Sequence, residues 1–145
     1  MTANIYLTFN GNCREAFEFY KSALGGDFSY VGTFEEMPPQ ENMPHLPDSE
    51  KQKIMHISLP ISNETVLMGS DTSEVFGKPV KFGNNFSISI NIESNEEADE
   101  VFNKLAEGGK VLQPMDKTFW SPYFGMLTDK FGVNWMINVD QGENV

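Results

Sequence analysis

The stretch Phe86-Ser87-Ile88-Ser89-Ile90-Asn91-Ile92, continued by Ser94-Asn95-Glu96-Glu97-Ala98, sets the pattern of the whole chain. Its first part alternates apolar and polar residues as a half-buried strand does. Ser94 then stands at an N-cap position, with Glu97 three residues on in a capping-box arrangement. Ala98, Val101, Phe102, Leu105 and Ala106 recur at helical spacing, and Gly108-Gly109 supplies the terminator. The same grammar occurs earlier in the chain. Ile5-Tyr6-Leu7-Thr8-Phe9 reads as a strand, and Asn12 as a cap with Glu15 three residues on. Ala16, Phe19, Tyr20, Ala23 and Leu24 then form a helical stripe over 13–24, closed by Gly25-Gly26. An offset of 82 pairs Asn12 with Ser94, Glu15 with Glu97, Ala16 with Ala98, Tyr20 with Phe102 and Gly26 with Gly108. This is an internal duplication.

Three strand-like runs follow each helix: 28–34, 54–61 and 65–68 in the first half, and 110–112, 123–128 and 133–139 in the second. Each half therefore reads as βαβββ, with module one at about 1–75 and module two at about 84–145 of a single α+β domain. Leu67-Met68 and Trp135-Met136 align at an offset of 68, which sets His56 opposite Phe124. Between Glu35 and Lys53 the composition shifts to Pro, Met, Glu and Asp without periodicity. That segment reads as a long surface loop and a candidate lid.

The chain has 145 residues and a formal net charge of −11. Such a surface repels phosphate backbones and anionic lipid, so neither nucleic acid nor a membrane surface is an expected partner. No apolar run has the length of a membrane span, and Met1-Thr2-Ala3-Asn4 has no signal-peptide character, which makes a cytoplasmic location the expectation. The single cysteine, Cys13, fits a reducing compartment and reads as an unreactive thiol. The carboxylates of 95–100 are explained by solvation and the helix dipole. The sequence contains no Walker loop, no Gly-x-Gly-x-x-Gly fingerprint and no Gly-x-Ser-x-Gly elbow, so no cofactor is expected.

Two βαβββ modules in a chain of this length resemble the vicinal oxygen chelate superfamily, which includes glyoxalase I, extradiol dioxygenases and the bleomycin and fosfomycin resistance proteins. Closer resemblance comes from Tyr6-Leu7-Thr8-Phe9-Asn10-Gly11-Asn12, Glu18-Phe19-Tyr20-Lys21, Met55-His56-Ile57-Ser58-Leu59, Leu67-Met68-Gly69-Ser70-Asp71 and Thr118-Phe119-Trp120. With the run from Phe124 to Asn138, these motifs look like the PhnB-like branch of that superfamily. The resemblance implies that each module curls its sheet into part of a half-open barrel, with concave sides facing a shared cavity. It also implies a homodimer. Strand alternation then sends Ile88, Ile90, Ile92, Trp135 and Ile137 to the core. Ser87, Ser89, Asn91, Asn134, Met136 and Asn138 face the other way, with His56, Ser58, Phe124 and Met126 on the cavity side.

Metal-dependent relatives carry His or Glu, sometimes Gln or Tyr, at four strand positions, which fall here at about Ile5, Met68, Ser87 and Met136. A slip of one residue on the first strand offers Tyr6 or Asn4. Thioethers and serine are poor ligands for the divalent ions such sites hold, so no metal is expected. His56 is the candidate acid or base, since histidine is the side chain whose unperturbed charge change falls closest to neutral pH; the other reading is a neutral imidazole hydrogen-bonded within the barrel. Ser58, Met68, Ser87, Ser89, Trp120, Phe124, Met126 and Met136 are the candidate ligand-binding residues, with thioethers and an indole suited to apolar or aromatic contents. Core packing is the competing reading for each Met and Phe. Trp120, ahead of Ser121-Pro122, is a candidate loop residue at the barrel mouth, and His45 is assigned no role. The function expected is binding of a small organic ligand, by sequestration or by metal-free catalysis at His56. The alternative is a metal-dependent isomerase, lyase or dioxygenase.

Overall fold

Apolar alternation along Ile5–Phe9 buries Leu7 and Phe9 on one side of a strand, β1, and leaves Tyr6 on the other. The computed structural model describes residues 1–38, 45–75 and 77–139. It divides into two units, Met1–Lys81 and Phe82–Val145. In the first, β1 is followed by helix α1 (Cys13–Leu24) and strands β2 (Tyr30–Thr33), β3 (Ile54–Pro60) and β4 (Val66–Asp71). The sheet order is β1-β4-β3-β2, with β1 parallel to β4 and the other pairs antiparallel. Between β2 and β3 lie a 3-10 turn (Phe34–Glu36) and a one-turn helix, α2 (Asp48–Lys51). Residues 39–44 of the candidate lid lie outside the described residues.

Helix α1 covers one face of this sheet with Ala16, Phe17, Tyr20 and Ala23 against Leu7, Phe9, Ile57, Leu59 and Leu67, all buried. The stripe differs from expectation at one place. Phe17 is fully buried, edge-on to Phe9 and Tyr20, whereas Phe19 is only half-buried, because position 17 lies one turn from Cys13 and Tyr20 on the inward face. The helix start differs as well. Asn12 makes no side-chain cap; instead Asp71 Oδ1, from the end of β4, accepts the N–H groups of Gly11 (2.9 Å) and Cys13 (3.0 Å). The tighter charge-assisted bond from a buried carboxylate replaces the local one. Gly25, at φ +82°, ends the helix.

The second unit repeats the design with β5 (Ile88–Ile92), α3 (Asn95–Ala106), β6 (Lys110–Asp116), β7 (Phe124–Thr128) and β8 (Asn134–Val139), in sheet order β5-β8-β7-β6. Here the expected cap forms, Ser94 Oγ accepting the Glu97 N–H at 3.2 Å. Ala98, Val101, Phe102 and Leu105 of α3 are buried, as are Ile88, Ile92, Leu127, Trp135 and Ile137; Ile90 is half-buried. Strand β6 runs four residues beyond the expected Leu112 and takes in Pro114, which an edge strand tolerates. The architecture is thus α+β with two βαβββ units, each a four-stranded sheet carrying its helix on one face.

Candidate functional site

Strand register decides which side chains share the sheet face opposite each helix. In the first unit Tyr6 pairs with Met68, Met68 with Ser58 and Ser58 with Tyr30, so one row of side chains crosses all four strands. In the second unit the corresponding row is Ser89, Met136, Met126 and Gln113. The strand offset between Tyr6 and Ser89 is therefore 83, one more than the helix offset, because the first unit's turn at Asn10-Gly11-Asn12 holds an extra residue. This corrects the four positions read from the sequence. Ile5 pairs with Leu67 on the helix side, and Ser87 stands one residue ahead of β5. The register-matched set is Tyr6, Met68, Ser89 and Met136, and its donors do not fit the divalent ion of the superfamily: one phenol, one hydroxyl and two thioethers. Among the described residues no three His, Cys, Asp or Glu side chains are grouped to hold a metal.

His56 is the best-connected side chain on the open face of the first unit. Its Nδ1 lies 3.2 Å from the Tyr6 hydroxyl and its Nε2 lies 2.9 Å from Ser58 Oγ. The Tyr6 and Tyr30 rings flank the imidazole with centroids 5.6 and 5.8 Å away. Both phenols are about half-exposed, at 49% and 47%, while Ser58 is buried. A local irregularity orients the histidine. Gly32 pairs with His56 but Thr33 with Ile54, so Met55 is an extra residue in β3, a bulge that turns the strand beside the site. A neutral imidazole donates through one nitrogen and accepts through the other, and both hydroxyls can reverse role, so Ser58, His56 and Tyr6 form a chain able to hold or pass one proton. Tyr30 was not among the residues singled out from the sequence, and Tyr6 entered only as the alternative that a one-residue slip on the first strand offers; their signal was their register opposite Ser58 and Met68.

On the second unit's open face Met126 and Met136 sit side by side, half-buried, next to exposed Ser89. Asn138 donates to Asn91 Oδ1 at 3.1 Å and receives a hydrogen bond from Ser121 Oγ. Phe124 is buried, at 4% exposure, with Trp120 edge-on at 5.6 Å; Trp120 in turn meets Phe119 at 4.7 Å. Trp120 stands in the turn between β6 and β7, 58% exposed, and the turn is braced by Thr118 and Ser121: Thr118 N–H donates to the Ser121 carbonyl at 3.0 Å and Ser121 N–H to Thr118 Oγ1 at 3.1 Å. Cys13 is wholly buried; desolvation, then the nearby Asp71 carboxylate, pushes its thiol far above the ordinary range. His45 is exposed. A separate cleft of about 190 Å³ is lined by Asn10, Lys53, Thr72, Ser73, Glu74, Gly77 and Pro79. Sequence reading passed over it.

The model of one protein family, described as 3-demethylubiquinone-9 3-methyltransferase, matches residues 2–138. The chain belongs to this family. It is 35% identical over 144 residues to Protein YjdN of Escherichia coli K12, covering 96% of this chain and 95% of that one. Protein PA1353 from Pseudomonas aeruginosa is 41% identical with a TM-score of 0.82, over 97% and 98% of the two chains. The PhnB protein from Bacillus cereus is 26% identical with a TM-score of 0.75, over 97% and 100%. These place the chain in the PhnB-like branch of the vicinal oxygen chelate superfamily. The fold extends to the fosfomycin resistance protein FosX from Listeria monocytogenes, at 11% identity and a TM-score of 0.64 over 95% and 91%, a likeness of fold alone. The turn after β1 offers no free pair of N–H groups to an anionic cofactor, since those of Gly11 and Cys13 are bonded to Asp71.

Proposed function

We propose that this PhnB-like protein binds a small organic molecule on the open face of the first unit's sheet, with His56 as the group that can donate or accept a proton there. The observation that carries this reading is the placement of His56 between two hydroxyl partners and two half-exposed phenol rings. Such a set combines apolar stacking area with a few convergent polar groups. Ser58 and Met68 belong to the same row. Ser89, Trp120, Phe124, Met126 and Met136 supply apolar and hydroxyl surface on the second unit, with Ser87 at its margin. The reading includes the homodimer implied by the resemblance and the cytoplasmic location expected from the sequence, the latter supported by one buried thiol that needs no oxidising compartment. No helix among the described residues is long and apolar enough to cross a membrane.

The test is a screen of small aromatic and carbonyl compounds against the wild-type chain and His56→Gln, read by thermal shift. Hits whose stabilisation shrinks in the variant support the reading. A screen in which every hit stabilises both proteins equally sinks it. Elemental analysis after re-equilibration with Mn, Fe, Ni and Zn in turn tests the metal-dependent alternative: stoichiometric metal that depends on His56 would establish it in place of this reading.

A further inference from the structure

The proposed small-molecule site leaves one phenol unexplained. Tyr30 makes no hydrogen bond through its hydroxyl to any described residue, yet its ring does not swing out into solvent. It lies folded back over Gly32, and a Cβ built at residue 32 would stand 2.6 Å from Tyr30 Oη and 2.8 Å from Cε1. Any side chain at position 32 would push the phenol off the sheet. Gly32 is also the residue paired with His56, so the missing side chain is what lets the Tyr30 ring reach the imidazole at 5.8 Å. Fixing a half-exposed tyrosine against a strand costs rotamer freedom, and its tilted contact with the His56 ring offsets part of it. The Tyr6 hydroxyl and Ser58, by contrast, are already engaged with the two imidazole nitrogens.

We propose that Tyr30, seated over Gly32, is the specificity-determining hydrogen-bond donor of the His56 face, and that it selects a neutral planar aromatic molecule carrying a carbonyl oxygen. This rests on the proposed small-molecule reading. Among the described residues the Tyr30 O–H makes no hydrogen bond, which leaves it a donor for a ligand beside the imidazole, and the Tyr6 and Tyr30 rings supply faces for a flat group. The row Tyr6, Met68, Ser58, Tyr30 carries no charged side chain, and the chain's net charge of −11 disfavours an anion.

The experiment titrates acetophenone, benzoate and toluene separately into the full chain, with side-chain NMR resonances of His56 and Tyr30 as readout. Acetophenone is expected to shift both residues, and Tyr30→Phe to weaken it roughly five- to tenfold, the worth of one hydrogen bond, while toluene binding stays unchanged. Gly32→Ala is expected to displace the Tyr30 resonances before any ligand is added and to weaken acetophenone; circular dichroism confirms that the variants fold. Equal acetophenone affinity in wild type and Tyr30→Phe, together with loss in His56→Gln, would overturn the role of Tyr30 and leave the His56 reading standing. Benzoate binding tighter than acetophenone would overturn the neutral class. If none of the three shifts either residue at millimolar concentration, the role given to Tyr30 is overturned, while the wider reading is decided by the screen against His56→Gln.

Discussion

Asp71 Oδ2 accepts the backbone N–H of Ile54 at 2.9 Å, tying the last residue of β4 to the first of β3, while Oδ1 holds Gly11 and Cys13. One buried carboxylate thus joins β4, β3 and the start of α1. Replacing it removes the acceptor of three N–H groups, two of them in buried bonds. Asp71→Ala is expected to cost about 3 kcal/mol or more, and Asp71→Asn somewhat less, because the amide keeps one acceptor oxygen, although its NH2 then faces an N–H that the carboxylate had accepted. Urea denaturation midpoints measure this. A loss within about 0.5 kcal/mol for Asp71→Ala would show that the knot contributes little.

The second unit has a comparable knot in another place. Asp129 Oδ1 accepts Phe131 N–H (2.8 Å) and Val133 N–H (3.1 Å), and its Oδ2 takes the indole N–H of fully buried Trp135 at 2.8 Å. Trp135→Phe removes a charge-assisted hydrogen bond and leaves part of the indole volume empty. A loss of about 2–4 kcal/mol is expected. Thermal unfolding followed by far-ultraviolet circular dichroism checks it, and an unchanged midpoint would contradict it.

Glu50, on α2, is 1% exposed; Oε1 accepts Glu74 N–H at 2.7 Å and Oε2 pairs with Lys53. The Lys53 ammonium first, and the Glu74 amide second, hold its carboxyl below the usual glutamate range. A folded-state value below the unfolded one means that the contribution to stability is present above the unfolded value and is lost as pH falls through the folded one. Wild type is therefore expected to lose more stability than Glu50→Gln between neutral pH and about pH 3, the variant starting lower. Parallel profiles in urea would refute the assignment.

Burial of Cys13, with its thiol raised far above the ordinary range, predicts negligible reaction with a disulfide reagent in the native state and prompt reaction in denaturant. Stoichiometric labelling of the folded chain within minutes would show that α1 opens readily.

Much of this architecture was legible because it rests on local patterns. The alternation around Ile88, the glycine stops and the Ser94 cap each act within a few residues, and all appear where the pattern puts them. The misreadings share a different cause. Asn12 lost its cap to Asp71, 59 residues away in sequence, and no local pattern announces such a competitor. Phe19 was preferred to Phe17 because both fit an apolar stripe; the face that Phe17 shares with Cys13 and Tyr20 is the one that packs on the sheet, where Phe17 meets Phe9. At the site, His56 stood out by residue type, but its partners Tyr6 and Tyr30 come from two other strands, and their approach depends on the Met55 bulge and the bare Gly32. The one-residue difference between strand and helix offsets was hidden by extending the helix match into the strand.

The two duplicated halves also differ in their wiring. Helix α3 is latched by a serine three positions from the amide it holds, a closure that a short peptide can make by itself. Helix α1 is latched by a carboxylate on the far strand, so its first turn is secured only once β4 has docked against β1. A fragment covering 86–107 should therefore retain more helix than one covering 4–25. In one half the helix can precede the sheet; in the other, the sheet has to come first.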